Sequence, residues 1–307
     1  GRLGRRAGLS VPRTTDELLG LLELEQLDTD LFRGPQPETV LQRSFGGQVL
    51  AQALSAAYRG ISPDRVAHSL NAYFLRPGSP ATPILYVVEP TRDGRTFSQR
   101  RVVARQDGRP IFSMVCSFHV QEDGLDHADP LPGDLLPPEQ CRPAAVVLGE
   151  RSARRAAFWE MEWGAHDVRY VTEPAAATET GRATLQLWIK AESRLPDDPR
   201  IHQMVLAYLS DISLLSVSTV THPVEFMSSK LQAASIDHAM WFHRPVRADE
   251  WLLYDQVSPS ASGALGFAQG RLFSQQGTFA ASCAQQGLIR VVEPPPSVPP
   301  TATAWPA

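Results

Sequence analysis

GGQVLAQALSAAY, residues 46–58, returns in altered form as HQMVLAYLSDISLL, residues 202–215. Both stretches carry apolar residues at helical spacing, and Val49-Leu50-Ala51 falls on Val205-Leu206-Ala207. Working outward, AYFLRP (72–77) is echoed by MWFHRP (240–245), two aromatic-rich strands that end in Arg-Pro, and VVEP (87–90) by YDQVSP (254–259). Two long strands then follow in each half. Phe97–Ala104 and Ile111–Val120 flank Gln106-Asp107-Gly108, and Ala264–Phe273 and Thr278–Val291 flank Gln275-Gln276-Gly277. The glycines supply the positive φ that tight hairpins need. Each half therefore reads as one central helix followed by antiparallel strands, whose single apolar face the helix covers. The chain reads as a tandem duplication of that unit.

This pattern divides the 307 residues into a flexible N-terminal arm (1–15), a first unit (16–123), a linker (124–165), a second unit (166–292) and a disordered Pro-rich tail (293–307). The linker is rich in Pro, Ala and Arg and shows no clean period, with one short helix expected near Ala153–Trp159. The 29 basic and 33 acidic residues leave a net charge of −4, with no basic excess to hold a nucleic-acid backbone. No stretch approaches 18 consecutive apolar residues, so no membrane insertion is expected. Cys116, Cys141 and Cys283 are too scattered for a zinc site or a disulfide framework, which fits a reducing, cytoplasmic setting. No metal pair, Walker loop, G-x-G-x-x-G or G-x-S-x-G element occurs, so no cofactor is expected.

Laying the halves over each other isolates three polar positions. An offset of 156 sets Asp211 on Ser55, one of 168 sets Ser235 on Ala67, and one of 169 sets Gln285 on Cys116. Asp211 shares a helical stripe with Met204, Tyr208 and Leu215, which would bury its carboxylate and raise its pKa. The competing reading is a solvated Asp211 that caps a turn. Gln285 shares a strand face with Phe279, Ala281 and Cys283, where a buried amide needs a partner, either a backbone group or a carboxylate and water. Ser235 opens a strand on the face of Asp237, Ala239 and Trp241, so Asp237 is a rival carboxylate that could instead pair with Arg244 or Arg271. His238 and His243 fall among large residues and read as structural. Gly46-Gly47 opens a helix whose free N–H groups could hold an anion.

FGGQVLAQAL, HSLNAYFLRPG, RDGRTFSQRRVVARQDGRPIFSMVCSF, DHAMWFHRP and CAQQGLIR together resemble the acyl-CoA thioesterase II (TesB) family, from about Leu22 to Arg290. The resemblance implies an α+β double-hotdog fold, in which two tandem units are each a long helix wrapped by an antiparallel sheet. It implies hydrolysis of medium- to long-chain fatty acyl-CoA to free acid and CoA, without metal or organic cofactor, by a homodimer or homotetramer. The family's water-activating Asp, Thr and Gln fall on Asp211, Ser235 and Gln285, so Thr is replaced by Ser. Asn71 stands where relatives carry His, and Gln286 where they carry Glu. Two other readings remain open at this point. A non-catalytic acyl-CoA-binding or regulatory protein of the same fold is one. An enoyl-CoA hydratase is the other, but it fits poorly because the first His after Asp211 is His222.

Overall fold

The computed structural model describes residues 9–172, 181–226 and 228–292, so the tail assigned to 293–307 lies outside the described residues, as do residues 1–8 of the arm. The first half runs β1 (Leu9–Ser10), α1 (Thr15–Leu22), β2 (Glu25–Asp28), β3 (Leu31–Gly34), β4 (Pro37–Glu38), α2 (Gly46–Tyr58), β5 (Arg65–Phe74), β6 (Ile84–Asp93), β7 (Phe97–Gln106) and β8 (Arg109–Val120). The connecting region holds β9 (Arg142–Pro143), α3 (Ala144–Arg151) and α4 (Ala153–Trp163). The second half runs β10 (His166–Thr172), β11 (Thr184–Ala191), α5 (Pro199–Ser210), β12 (Leu231–Ser235), β13 (Asp237–Phe242), β14 (Leu252–Ser262), β15 (Leu265–Ser274) and β16 (Phe279–Val291).

Helix α2 is buried along nearly its whole length, as expected of a helix at the centre of a wrapped sheet. Its polar residues are tied down. Gln52 donates to the carbonyls of Leu21 (2.8 Å) and Pro35 (2.9 Å) and accepts from the Tyr86 hydroxyl (2.7 Å), and Ser55 donates to Leu22 O at 2.9 Å. Helix α5 packs antiparallel on α2. Only glycine fits at the crossing, because a Cβ on Gly47 would lie 2.4 Å from the carbonyl oxygen of Tyr208. Residues 199–219 are apolar and long enough to cross a membrane by length and composition, but 61% of that window is buried inside the fold. This is the core helix of the second unit rather than a span.

All strands except the short β1–β4 pair form one antiparallel sheet in the order β2-β3-β6-β7-β8-β5-β13-β16-β15-β14-β11-β10-β9, with β12 also on β16. The order around the centre is mirrored: β6-β7-β8-β5 meets β13-β16-β15-β14. The halves join where β5 pairs with β13, and Asn71 faces Ala239 there. The 168-residue offset carries Asn71 onto Ala239, so the two equivalent positions sit opposite each other on the pseudo-twofold axis. This is the double-hotdog architecture. Both β-hairpins anticipated from glycine are present, with Asp107 and Gly108 at φ 47° and 73° and Gly277 at φ 95°.

Two expectations need correction. From residue 9 onward the arm is not loose. Leu9 and Ser10 pair with Pro37 and Glu38, Val11 is buried, and Thr14 caps α1 by accepting from Glu17 N–H. The 124–165 stretch carries two helices where one was expected. Before them, Leu131, Leu135 and Cys141 pack with Trp188, Leu253 and Phe273 in a small apolar cluster apart from the main core. The Trp188 indole donates to Leu136 O at 2.9 Å. These contacts are irregularly spaced, so no period announces them.

Met240 is fully buried at the β5–β13 seam, opposite Leu70. Met240→Ala is expected to lower stability by about 2–5 kcal/mol, as cavity-forming core truncations do. Urea unfolding measures this, and a loss below about 1 kcal/mol would mean the seam is not part of the load-carrying core.

Candidate active site

Asp211 follows the last turn of α5 as its C-cap (φ −97°, ψ −4°). Its side chain is only 7% exposed. It is aimed across the helix crossing at the start of α2, where a Cβ on Gly46 would stand 2.5 Å from Asp211 Oδ2 and 3.0 Å from Phe74 Cζ. The Gly47 N–H and the Ser235 hydroxyl both stabilise the charged carboxylate, and Gln285 Nε2 donates to Oδ1 at 2.6 Å. Helix α2 has no side-chain cap of its own, since its N-cap residue is Phe45. The carboxylate therefore occupies the positive end of a thirteen-residue helix, supplied by the other half of the chain.

These bonds favour the anion, but burial opposes it more strongly. Desolvation pushes the Asp211 pKa up to about 6, against the pull of Gln285, Gly47 and Ser235. Gln285 comes from the middle of β16, opposite Ala268, and is completely buried. Its Oε1 has no partner among the described residues. Ser235 ends β12, opposite Gly287. The three polar positions picked from the sequence thus converge on one carboxylate from three separate elements. The expected stripe through Asp211 is partly realised: Tyr208 and Leu215 are buried, Met204 is half-buried, and Asp211 lies just past the helix end.

The rival carboxylate is engaged elsewhere. Asp237 Oδ1 accepts the backbone N–H of Gln286 at 2.7 Å. Arg244 pairs with Asp126, and Arg271 pairs with Asp255 and Asp129. The chain breaks its alternation at Ile236, whose N–H bonds Gln286 O while its carbonyl accepts from Phe74. Ser235 and Asp237 therefore do not share a face as simple alternation implies. His243 bonds Ser282 Oγ at 2.8 Å, away from Asp211.

His238 lies beside Asp211. It is completely buried, with Nδ1 3.9 Å from Asp211 Oδ1 and Nε2 2.9 Å from Ser210 Oγ. Ser210 Oγ is also 2.9 Å from Ala207 O, which can only accept. With that proton committed, His238 Nε2–H donates to Ser210 and Nδ1 is left bare. Burial pushes the pKa of His238 down to about 4, so the ring is neutral and offers Asp211 no counter-charge. The available signal was its place next to Met240 on the inward face of β13. Cys283 hydrogen-bonds Tyr254 (3.2 Å), and burial pushes its thiol up to about 12. It is unsuited to act as a nucleophile. Among the described residues no group of three metal-ligating side chains occurs. A cleft of about 370 Å³ opens beside the start of α5, at Asp197, His202 and Arg247, and touches none of these groups.

The first half shows what the pseudo-twofold axis makes of the same place. The Tyr58 hydroxyl donates to Gln203 Oε1 and accepts from Ala67 N–H at 2.8 Å, while Gln203 Nε2 donates to Ala67 O at 2.8 Å. Ala67 is the counterpart of Ser235, and Cys116, the counterpart of Gln285, lies beside Tyr58. Tyr58, not Ser55, is thus the counterpart of Asp211. The helices start at residues 46 and 199, an offset of 153 rather than 156. A slip of three residues keeps nearly the same helical face, so apolar periodicity could not reveal it.

Residues 160–288 match the family described as acyl-CoA thioesterase, and residues 35–119 match the acyl-CoA thioesterase N-terminal domain. The chain is 37% identical to human acyl-coenzyme A thioesterase 8, over 88% of each chain. It is also 37% identical to acyl-CoA thioesterase 2 of Haemophilus influenzae, over 91% of this chain and 98% of that one. Among solved structures, acyl-CoA thioesterase II TesB2 from Mycobacterium marinum superposes with a TM-score of 0.75 at 42% identity, over 89% of this chain and 98% of that one. A hot dog fold protein from Alicyclobacillus acidocaldarius, 20% identical, has a TM-score of 0.71 over 89% and 97% and shares the fold.

The raised pKa of Asp211 makes a stability prediction. The folded protein binds this proton more tightly than the unfolded chain, whose carboxyl titrates near 3.8. The stabilisation is therefore present below pH 4 and is lost as pH rises through about 6. Asp211→Asn lacks that loss. Relative to the parent it is expected to gain about 2–3 kcal/mol between acid and neutral pH, at 1.36 kcal/mol per unit. Urea unfolding across that range checks it, and a pH-independent difference would contradict the buried-carboxylate assignment.

Proposed function

The chain belongs to the acyl-CoA thioesterase II family, and on that premise we propose that it hydrolyses medium- to long-chain acyl-CoA with a water molecule activated by Asp211, Gln285 and Ser235. The observation that carries the proposal is the buried Asp211 carboxylate, held by Gln285 at 2.6 Å over the N-terminus of α2, with its pKa at about 6. A base poised there is ionised at neutral pH yet basic enough to take a proton from water.

In the proposed reaction, Asp211 accepts one proton of the water while the buried Gln285 Oε1 accepts a hydrogen bond from the other. The Ser235 hydroxyl fixes the carboxylate's second direction. The water oxygen bonds to the thioester carbonyl carbon, and the carbonyl oxygen becomes an oxyanion. Backbone N–H groups of the first turn of α2 other than that of Gly47, which Asp211 engages, are the donors proposed for the developing charge. When the intermediate collapses the C–S bond breaks, and the carboxylic acid of Asp211 returns its proton to the departing thiolate. The products are a free acid and CoA. Cys116 and Cys283 take no part: both thiols are fully buried and pushed well above neutral pKa. Replacing the family's Thr by Ser235 keeps the hydroxyl and removes only the methyl that restrains its rotamer. The chain-length class, a cytoplasmic setting and a homodimeric or homotetrameric assembly are proposed from the family resemblance.

Release of free thiol from acyl-CoAs of increasing length tests the reading. Asp211→Asn is expected to lower kcat by about 10²–10⁴, the usual scale of a lost general base. Gln285→Ala should follow it, and Ser235→Thr should retain activity where Ser235→Ala loses it. In the parent, kcat should rise with pH through about 6 and then level off, as Asp211 ionises. No turnover at any chain length, or an Asp211→Asn variant with parental kcat, would sink the mechanism and favour a binding role.

A further inference from the structure

Many arginines of this chain are paired with carboxylates, as Arg33 is with Glu25, Arg100 with Asp93, Arg247 with Asp249 and Arg271 with Asp255. Among those without an ion pair, four gather at one end of the first unit. Arg43, Arg76, Arg105 and Arg109 are exposed, and among the described residues none forms an ion pair. They are gathered by backbone contacts. Ser44 N–H donates to Gly78 O at 2.9 Å, binding the loop of Arg43 to the loop of Arg76. Arg76 Nη1 donates to Pro110 O at 2.7 Å, and Arg105 lies across from Pro110 in the β7–β8 ladder. Arg105 Nη2 bonds Gly108 O at 2.8 Å, in the turn that leads into Arg109. The one carboxylate in that turn belongs to Asp107.

We propose that these four arginines seat the phosphates of the CoA moiety, an inference that rests on the thioesterase reading of the Asp211 site. The elements that carry them run straight out of that site. Phe74 lines the same spot beside Gly46 as Asp211 Oδ2, and Arg76 is two residues further along the chain. Phe74 pairs with Phe112, and Arg109 precedes Phe112 by three residues. At about 3.3 Å per residue, that places the patch on the order of 10 Å from the carboxylate's wall. An extended pantetheine arm bridges such a span, with the half-exposed Leu75 as an apolar surface along the way. Arg76 and Arg105, each already held by one backbone carbonyl, keep their remaining N–H donors in a fixed fork, which suits phosphate oxygens.

The test compares two substrates with the same acyl group, acyl-CoA and the acyl thioester of N-acetylcysteamine, which lacks the nucleotide. For R76Q/R105Q/R109Q, and further with R43Q, KM for acyl-CoA is expected to rise at least about tenfold with kcat held, as loss of charge-assisted contacts implies. KM for the truncated thioester should not move. Adenosine 3′,5′-bisphosphate, titrated calorimetrically, should bind the parent and lose affinity in the variant, a readout independent of turnover. R92Q/R95Q, at the opposite end of the sheet, serves as the control and should change neither. An unchanged KM for acyl-CoA, equal rises on both substrates, or an equal effect of R92Q/R95Q overturns the phosphate seat. A parent that binds the bisphosphate but hydrolyses neither thioester overturns the thioesterase reading and leaves the seat standing.

Discussion

The crossing of two antiparallel helices, α2 and α5, is the constraint on which the rest depends. The ends meet so closely that the first two residues of α2 must be Gly46 and Gly47: a Cβ on either would strike Asp211 or the backbone of Tyr208. That closeness places the carboxylate of one half on the exposed N–H groups of the other. It also buries the carboxylate, and burial outweighs the favourable helix end, so the pKa rises rather than falls. A group held this way is less stable than a solvated one and more useful as a base.

The sheet holds that crossing in place. Because β5 pairs with β13, the two units share one continuous sheet, and β16 is fixed next to β13 across the seam. Gln285 therefore reaches Asp211 from a strand whose register is set by pairing on both sides, with β13 and with β15. Ser235 is set by the same strand through its pairing with Gly287. A slip of one residue along β16 would turn Gln285 outward, so the register of the seam and the geometry of the site are one constraint.

Much of this was legible in the residues. The apolar periods, the Arg-Pro strand ends and the hairpin glycines announce two helix-and-sheet units, and comparison of the halves picks out Asp211, Ser235 and Gln285. What was not legible has physical causes. The helical register between halves slips by three residues, hiding Tyr58 as the counterpart of Asp211, because such a slip nearly preserves the buried face. Asp237 stood as a rival because alternation was assumed through Ile236, where the backbone bonds instead to Gln286 and Phe74. His238 reads as structural among its large neighbours, and a strand of bulky residues does not say that one ring nitrogen lies 3.9 Å from the Asp211 carboxylate. The packing of Leu131, Leu135 and Cys141 on the second unit depends on tertiary contact alone.

The remaining question is why a duplicated chain places its candidate site in only one of two equivalent crossings. The difference lies in how the two helices begin. Helix α5 is capped within its own segment: Asp198 accepts the Arg200 N–H at 2.9 Å, so its orphan donors have a local carboxylate. Helix α2 begins at Phe45, which has no capping side chain, and its donors must be met from elsewhere. Asp211 meets them across the crossing. At the other crossing no second carboxylate is needed, and Tyr58, Gln203 and the Ala67 backbone close the space with neutral hydrogen bonds. Arg200 lies over the Tyr58 ring, 4.9 Å from its centre, and bonds the Ile61 and Arg65 carbonyls. A carboxylate added there would compete with Asp198 for the same helix end and face the burial that raises Asp211, with no capping gain to offset it. The location of the cap thus decides which half can keep a buried base.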